Sequence, residues 1–272
     1  ITYDKVRVMG ILNITPDSFY AGSRLNGVEA ALKRAEQMLE EGADIIDIGG
    51  ESTRPGSDYV SGTGERQRVL PVIASIRSKF PEAIISVDTW RAETADGAIA
   101  SGADIINDIT GMEGDKRMVN VIQRTKAPII LMHMRGTPKD MQTQCDYANV
   151  VDEVAIHLAE RAALAESMGL DKQSIILDPG IGFAKNVQQN LLLMRDLHTL
   201  TSFGYPVLLA ASRKSTIGKV LGDIPAEERL EGTIATSLQA VYAGAHLVRV
   251  HYVKENLRAI RMLEAIRKPG DY

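Results

Sequence analysis

The sequence predicts one α/β domain over residues 1–272, a single TIM (β/α)8 barrel, on three observations. Short apolar runs and helical spacings alternate without a break. Eight such pairs fill roughly the 250 residues that this fold takes. A Gly-Ala step between a helix and the next strand also recurs, in Glu41-Gly-Ala-Asp-Ile-Ile-Asp47, Ser101-Gly-Ala-Asp-Ile-Ile-Asn107 and Ala243-Gly-Ala-His-Leu-Val-Arg249. A glycine there suits the left-handed turn that closes a helix and sends the chain into a strand.

The strands expected in order are Arg7 to Ile14, Asp44 to Gly49, Ala83 to Asp88, Asp104 to Ile109, Pro128 to Met134, Ser174 to Asp178, Pro206 to Ala211 and Leu247 to Tyr252. Each is a nearly continuous apolar run rather than an alternation, as when helices cover one face and a packed barrel interior the other. Helical spacing follows each: Gly27 to Glu41, Gly64 to Lys79, Arg91 to Ser101, Lys116 to Arg124, Asn149 to Met168, Val187 to His198, Ala226 to Tyr242 and Lys254 to Ile266. An open doubly wound sheet is the alternative, but no Gly-rich dinucleotide fingerprint accompanies the units. Ser212-Arg-Lys-Ser-Thr-Ile-Gly218 lacks the glycine spacing of a Walker loop.

Composition removes several function classes. With 31 Lys+Arg against 35 Asp+Glu the net charge is −4, and 4 Phe, 8 Tyr and 1 Trp supply few stacking platforms, so no nucleic-acid partner is expected. The lone Cys145 excludes an internal disulfide and a Cys-based zinc site, and fits a reducing, cytoplasmic setting. No apolar run is long enough for a membrane helix, and the first residues carry no apolar signal core.

Polar residues at the carboxyl ends of buried strands need a reason, because an unpaired buried charge is costly, and active sites of this fold sit at that end. The ends supply Asn13, Asp47, Asp88, Asn107 with Asp108, His133, Asp178, Arg213 with Lys214, and Arg249 with His251. Asp88 and Asp178 are read as ligand contacts. Asp47 and Asp108 are read as either ligand contacts or groups orienting their neighbours. Asp44 and Asp104 open strands and read as caps of the bottom face, His133 as a packing histidine, and Arg34, Arg66 and Arg68 as solvated helix residues. Asp88, Asn107 and Asp178 form an acceptor-rich side that suits a heterocycle with several N–H donors, such as an amino-pyrimidinone. Lys214, Arg249 and His251 come from the last two strands, where barrels often bind phosphate. Two turn-rich loops, from Asn13 to Ser23 and from Gly49 to Ser57, carry groups that close over a substrate, among them Thr53, Arg54 and Pro55.

These stretches together resemble the dihydropteroate synthase family. The likeness runs from Met9-Gly-Ile-Leu-Asn-Ile-Thr-Pro-Asp-Ser-Phe19 through Ile46-Asp-Ile-Gly-Gly-Glu-Ser-Thr-Arg-Pro-Gly56, Ser86-Val-Asp-Thr89, Ile106-Asn-Asp-Ile109, Leu131-Met-His-Met134, Leu177-Asp-Pro-Gly-Ile-Gly-Phe183 and Ser212-Arg-Lys-Ser215 to Arg249-Val-His251. It implies a folate-synthesis transferase that condenses 6-hydroxymethyl-7,8-dihydropterin pyrophosphate with 4-aminobenzoate, giving 7,8-dihydropteroate and pyrophosphate. By motif, Asp88, Asn107, Asp178 and Lys214 hold the pterin between Met132 and Phe183. Asn13 sits on a Mg²⁺ that accompanies the pyrophosphate, and Arg249 and His251 bind that anion. Thr53, Arg54 and Pro55, with Phe19 and Ser215, shape the aminobenzoate site, and sulfonamides compete there. Asp88, Lys214, Arg249 and Arg54 are the residues implied in catalysis, and a homodimer through the outer helices is expected.

Two positions depart from the family pattern. Where Ser-Asp-Gly-Gly commonly follows the phenylalanine, Tyr20-Ala21-Gly22-Ser23 follows Phe19, so an acidic group is absent. Where Asp commonly follows the last Arg-Val-His, Tyr252 follows His251. These changes motivate one alternative, a pterin-binding paralogue without turnover. The shared acceptor triad motivates another, a methyltetrahydrofolate-dependent methyltransferase module.

Overall fold

The computed structural model describes residues 2–14, 24–51 and 60–271. Its strands are β1 (Arg7–Asn13), β2 (Ile45–Gly49), β3 (Ile84–Asp88), β4 (Ile105–Asp108), β5 (Ile129–Met132), β6 (Ile175–Asp178), β7 (Leu208–Leu209) and β8 (Leu247–Val250). All pair in parallel, in the order β6-β5-β4-β3-β2-β1-β8-β7. A bridge between Leu177 and Val207, with the Leu177 N–H donating to Pro206 O at 2.9 Å, brings the two ends together and closes the barrel. The single-barrel expectation is therefore met. Strand seven is shorter than the apolar run predicts, because regular pairing holds only at Leu208 and Leu209.

The helices are α1 (Arg24–Glu40), α2 (Gly62–Lys79), α3 (Ala92–Ala100), α4 (Met118–Thr125), α5 (Val150–Ser167), α6 (Val187–Arg195), α7 (His198–Thr201), α8 (Ser215–Val220), α9 (Leu230–Tyr242) and α10 (Val253–Arg267). The repeated glycines do what the sequence required, with φ of +94° at Gly42, +106° at Gly102 and +87° at Gly244. Two helical expectations change. The segment from Val187 to His198 is not continuous: Asp196 leaves helical geometry at φ −100° and ψ 22°, and α7 restarts at His198. Leu197 stays buried across the break, so the apolar spacing alone reads as one helix. The other change is α8, which directly follows Lys214 and was not expected.

The strand period of two sets what lies inside. Ile45, Ile105, Ile176 and Leu247 belong to an apolar plug with Met9, Ile130 and Leu208. Two residues further on, the same inward direction carries Asp47, Asn107, Asp178 and Arg249. The plug thus floors a polar layer. A separate, larger cluster fills the space between the sheet and the helices. Each fully buried Ile or Val in it contributes about 1.5–3 kcal/mol. At the opposite end Asp44 accepts the Val8 N–H at 2.9 Å and Asp104 the Ile85 N–H at 2.8 Å. They tie adjacent strands, as caps of the bottom face should. Among the described residues no helix is long and apolar enough to cross a membrane.

Candidate active site

The strand ends surround a cavity of about 280 Å³. Its acceptor side is lined by Asp88, Asn107 and Asp178, its cationic side by Lys214, Arg249 and His251, and its walls include Met132 and Phe183. Asn13 and Ser215 also face it. Of the sequence-predicted site residues, these ten share one pocket. Phe19, Thr53, Arg54 and Pro55 lie outside the described residues, as does Ala21; of the two loops only Asn13 and Ile14, and Gly49 to Glu51, are described.

Arg249 organises the floor of the pocket. Its Nε donates to Asp47 Oδ2 at 2.6 Å and its Nη2 to Asp88 Oδ2 at 2.7 Å. Burial works against its charge, and the two carboxylates more than offset that, holding the guanidinium above its ordinary range. Asp47 is fully buried and also accepts from Asn107 Nδ2 at 3.2 Å. It is a group that orients neighbours. With its amide nitrogen engaged below, Asn107 keeps its carbonyl oxygen as an acceptor. Burial pushes the Asp88 carboxyl above its ordinary range, against the pull of Arg249 and with the help of the Asp47 charge. Asp108 serves its own loop: its carboxylate accepts from the Thr110 N–H at 2.8 Å, the Thr110 hydroxyl at 2.7 Å and the Met112 N–H at 2.9 Å.

Asp178 ends β6 and accepts the Gly180 N–H through Oδ1 at 2.7 Å. Burial raises its pKa, and Lys214 and Arg249 draw it down. Gly180 is required at φ +70°, because a Cβ there would lie 2.0 Å from His133 O. Lys214 donates to Ile181 O at 2.5 Å, and its ammonium sits 4.8 Å over the Phe183 ring. Burial lowers its pKa to about 8, which keeps a proton within reach of neutral chemistry.

His251 is fixed from three directions. Its Nδ1 lies 3.0 Å from Ser212 Oγ, its own N–H donates to that oxygen at 3.2 Å, and its carbonyl accepts from Arg34 Nη2 at 3.2 Å. Arg34 is therefore no merely solvated residue. Neither is Arg68, whose Nη1 donates to Gly50 O at 2.8 Å, directly after β2. Arg66 remains a partly exposed partner of Glu93, as expected. Tyr252 lies under the Arg213 guanidinium at 4.3 Å and donates its hydroxyl hydrogen to Glu227 O at 3.2 Å.

Three contributors escaped the sequence reading. Arg91 pairs with Glu51 at 2.7 Å and with buried Glu65 at 3.1 Å, and its Nη2 donates to Val60 O at 2.7 Å, so it holds both stems of the second loop. Arg229 donates to Arg213 O at 2.8 Å and lines the cavity rim. Lys185 is buried against His133, which is itself a packing residue held neutral, its pKa lowered to about 2 by burial. In sequence each is a charged residue in a loop or at a helix end, with partners far away in the chain. No cluster of three or more His, Cys, Asp or Glu forms a metal cage among the described residues.

Comparison with known proteins agrees with the geometry. The family model described as pterin binding enzyme matches residues 9–251. The chain is 46% identical to the dihydropteroate synthase of Bacillus subtilis (strain 168) over 267 residues, covering 98% of this chain and 90% of that protein. Among solved structures, Xanthomonas albilineans dihydropteroate synthase with 4-aminobenzoic acid superposes with a TM-score of 0.91 at 40% identity, over 98% of this chain and 95% of that one. The Yersinia pestis dihydropteroate synthase with a sulfonamide drug complex gives 0.91 at 38% identity, over 98% and 96%.

Proposed function

The chain belongs to the dihydropteroate synthase family, and from that premise we propose how its residues divide the work of folate synthesis. The enzyme condenses 6-hydroxymethyl-7,8-dihydropterin pyrophosphate with 4-aminobenzoate. One C–N bond forms between the amine and the pterin methylene, the C–O bond to pyrophosphate breaks, and the nitrogen releases one proton. The observation that carries the assignment of roles is the division of one cavity into an acceptor side and a cationic side.

The Asp178 carboxylate and the Asn107 carbonyl accept the N–H donors of the pterin ring, which lies between Met132 and Phe183. Lys214 donates to a ring acceptor. A ring without those donors leaves buried acceptors unsatisfied and is rejected. An aromatic amine is neutral at pH 7 and needs no strong base, so the chain's main chemical task is to help the pyrophosphate leave. Arg249 receives the developing charge in a fixed geometry. With Nδ1 taking the Ser212 hydroxyl hydrogen, His251 presents its Nε2–H to the same anion. If C–O cleavage runs ahead of C–N formation, Asp88 and Asp178 stabilise the pterin-methylene cation. Absence of bridging to non-bridging oxygen scrambling, in an assay sensitive to reversible ionisation, would count against that order of events.

A Mg²⁺ on the pyrophosphate fits the donors present. Gly49 leaves open the space between Asn13 and Asp88, since a Cβ there would lie 3.5 Å from both Asn13 Oδ1 and Asp88 Cβ. A hard cation that keeps waters and phosphate oxygens needs few protein oxygens. Asn13 Oδ1 would supply one, and a bound Mg²⁺ would add positive charge beside the leaving group. Thr53, Arg54 and Pro55, with Phe19 and Ser215, shape the aminobenzoate site, where sulfonamides compete. A homodimer accompanies this reading, because Leu191, Val220, Tyr242, Met262 and Ile266 leave apolar area exposed on α6, α8, α9 and α10, with Leu221 at the end of α8 adding to it. Light scattering at twice the monomer mass is expected. The single free Cys145 fits a reducing cytoplasm.

The test is to incubate the protein with the pterin pyrophosphate, 4-aminobenzoate and Mg²⁺ and to measure dihydropteroate and pyrophosphate together. Equimolar products are expected. Pterin binding without product would mean that Ala21 or Tyr252 has abolished turnover.

A further inference from the structure

Lys185 lies in the connection between β6 and α6 and has no part in the reaction described above. It is 2% exposed. Its Nζ lies 2.8 Å from Phe183 O, 3.2 Å from Gly180 O, 3.3 Å from His133 O and 3.0 Å from His133 Nδ1. An ammonium so placed has four acceptors for three N–H donors, and none of the four is a carboxylate. Burying a charge against dipoles alone is costly. Burial accordingly lowers the Lys185 pKa to about 7. An apolar residue of the same length would fill the space without that cost, so the amine is retained for what it holds.

It holds a turn that the backbone does not favour by itself. The φ angles are +70° at Gly180, +86° at Gly182 and +50° at Ala184, the last on a residue with a Cβ. The turn carries three parts of the pocket: the Gly180 N–H bound by Asp178, the Ile181 carbonyl that fixes Lys214, and the Phe183 ring beneath the Lys214 ammonium. The lysine ties Gly180 and Phe183, on either side of Ile181, to the end of β5 through the His133 carbonyl.

We propose that Lys185 is a positioning residue of the pterin site, whose buried amine fixes the Gly180–Ala184 turn and whose charge stabilises the Asp178 carboxylate as acceptor. The inference rests on the pterin reading above. Asp178 holds the Gly180 N–H at 2.7 Å and Lys185 the Gly180 carbonyl at 3.2 Å, so the two groups flank one residue, and Lys214, Arg249 and, least of the three, Lys185 favour the charged form of Asp178. Lys185 is faced in turn by Asp178, Lys214, Arg135 and Cys145, and by the neutral ring of His133, which stacks edge-on with His157. Fixing the turn requires only N–H donors. Stabilising Asp178 requires the charge.

Two variants separate these roles. Lys185→Met removes donors and charge at similar length, whereas Lys185→Gln keeps two N–H donors and loses the charge. Binding of 6-hydroxymethylpterin, which carries no phosphate, is measured by calorimetry between about pH 5 and 8.5. Wild type should bind, with affinity falling toward acid as Asp178 takes a proton. Lys185→Met should bind on the order of 100-fold more weakly at pH 7.5, the loss expected of a misplaced contact. Lys185→Gln should recover most of that affinity. In both, the acid midpoint should rise by about one pH unit. If Lys185→Met does not fold, the midpoint of Lys185→Gln against wild type decides. An unchanged midpoint in Lys185→Gln, or wild-type affinity in Lys185→Met, overturns the inference. Failure of the wild type to bind the pterin overturns the reading on which it rests.

Discussion

Arg249 is held by two of its own carboxylates before any substrate arrives, and that preorganisation decides what Asp47 is for. A guanidinium anchored through Nε and one Nη2 hydrogen keeps its remaining N–H groups in a fixed plane, so little reorganisation accompanies departure of an anion. Asp47→Asn keeps the shape but weakens the grip on Arg249 and changes the partner of the Asn107 amide. A fall in kcat on the order of 10- to 100-fold is expected, with the KM for 4-aminobenzoate nearly unchanged. Steady-state kinetics checks this, and an unchanged kcat refutes it. Residues of this kind divide sharply in how legible they were. Asp88, Asn107, Asp178 and Arg249 stood out because each interrupts an apolar strand near its carboxyl end. Asp47 stood out equally, but the choice between contact and support needed the Arg249 distance. Lys185 gave no signal, because a lysine one residue before a helix cap is an ordinary surface pattern. Its partner His133 lies 52 positions away in sequence.

The connection between β6 and α6 shows how a helix start serves the pocket. Asn186 accepts the Gln189 N–H at 2.9 Å while Gln189 Oε1 accepts the Asn186 N–H at 2.8 Å, a reciprocal cap that ends the turn begun at Gly180. Gln189 Nε2 further donates to Cys145 O at 2.7 Å, joining the cap to the preceding connection. Asn186→Ala should cost about 1 kcal/mol in urea denaturation, with an unchanged m-value. A loss confined to catalysis, with the urea midpoint unmoved, would contradict a capping role. Elements were readable where periodicity ran long, as in α2, α5 and α10, and least readable where it was short. The six residues of α8 offer fewer than two turns of pattern. The break between α6 and α7 escaped because a buried leucine occupies it.

At the scale of the whole molecule, a net charge of −4 hides an opposition: carboxylates at the ends of β3 and β6 share one barrel mouth with cations that follow β7 and end β8. Within it the Lys214 charge costs stability at working pH, whereas the charge of Arg249 is favoured by its two carboxylates. The Lys214 pKa is lowered from 10.5 to about 8 by burial, with Asp178 the largest opposing influence. Below about 8 folded and unfolded chains both carry the proton, so the folded state bears the full penalty. Between 8 and 10.5 only the unfolded chain retains the proton, and this contribution to stability rises with pH. Above 10.5 the penalty is gone. Lys214→Met preserves the stem over Phe183 and removes the buried charge. It should melt above wild type at pH 7, converge with it as the pH approaches 10, and be inactive throughout. Thermal unfolding across that range checks the prediction. A variant that melts below wild type at pH 7 would mean that the bond to Ile181 O and the contact with Phe183 outweigh the buried charge, and that the barrel mouth is stabilised by the groups it uses for binding.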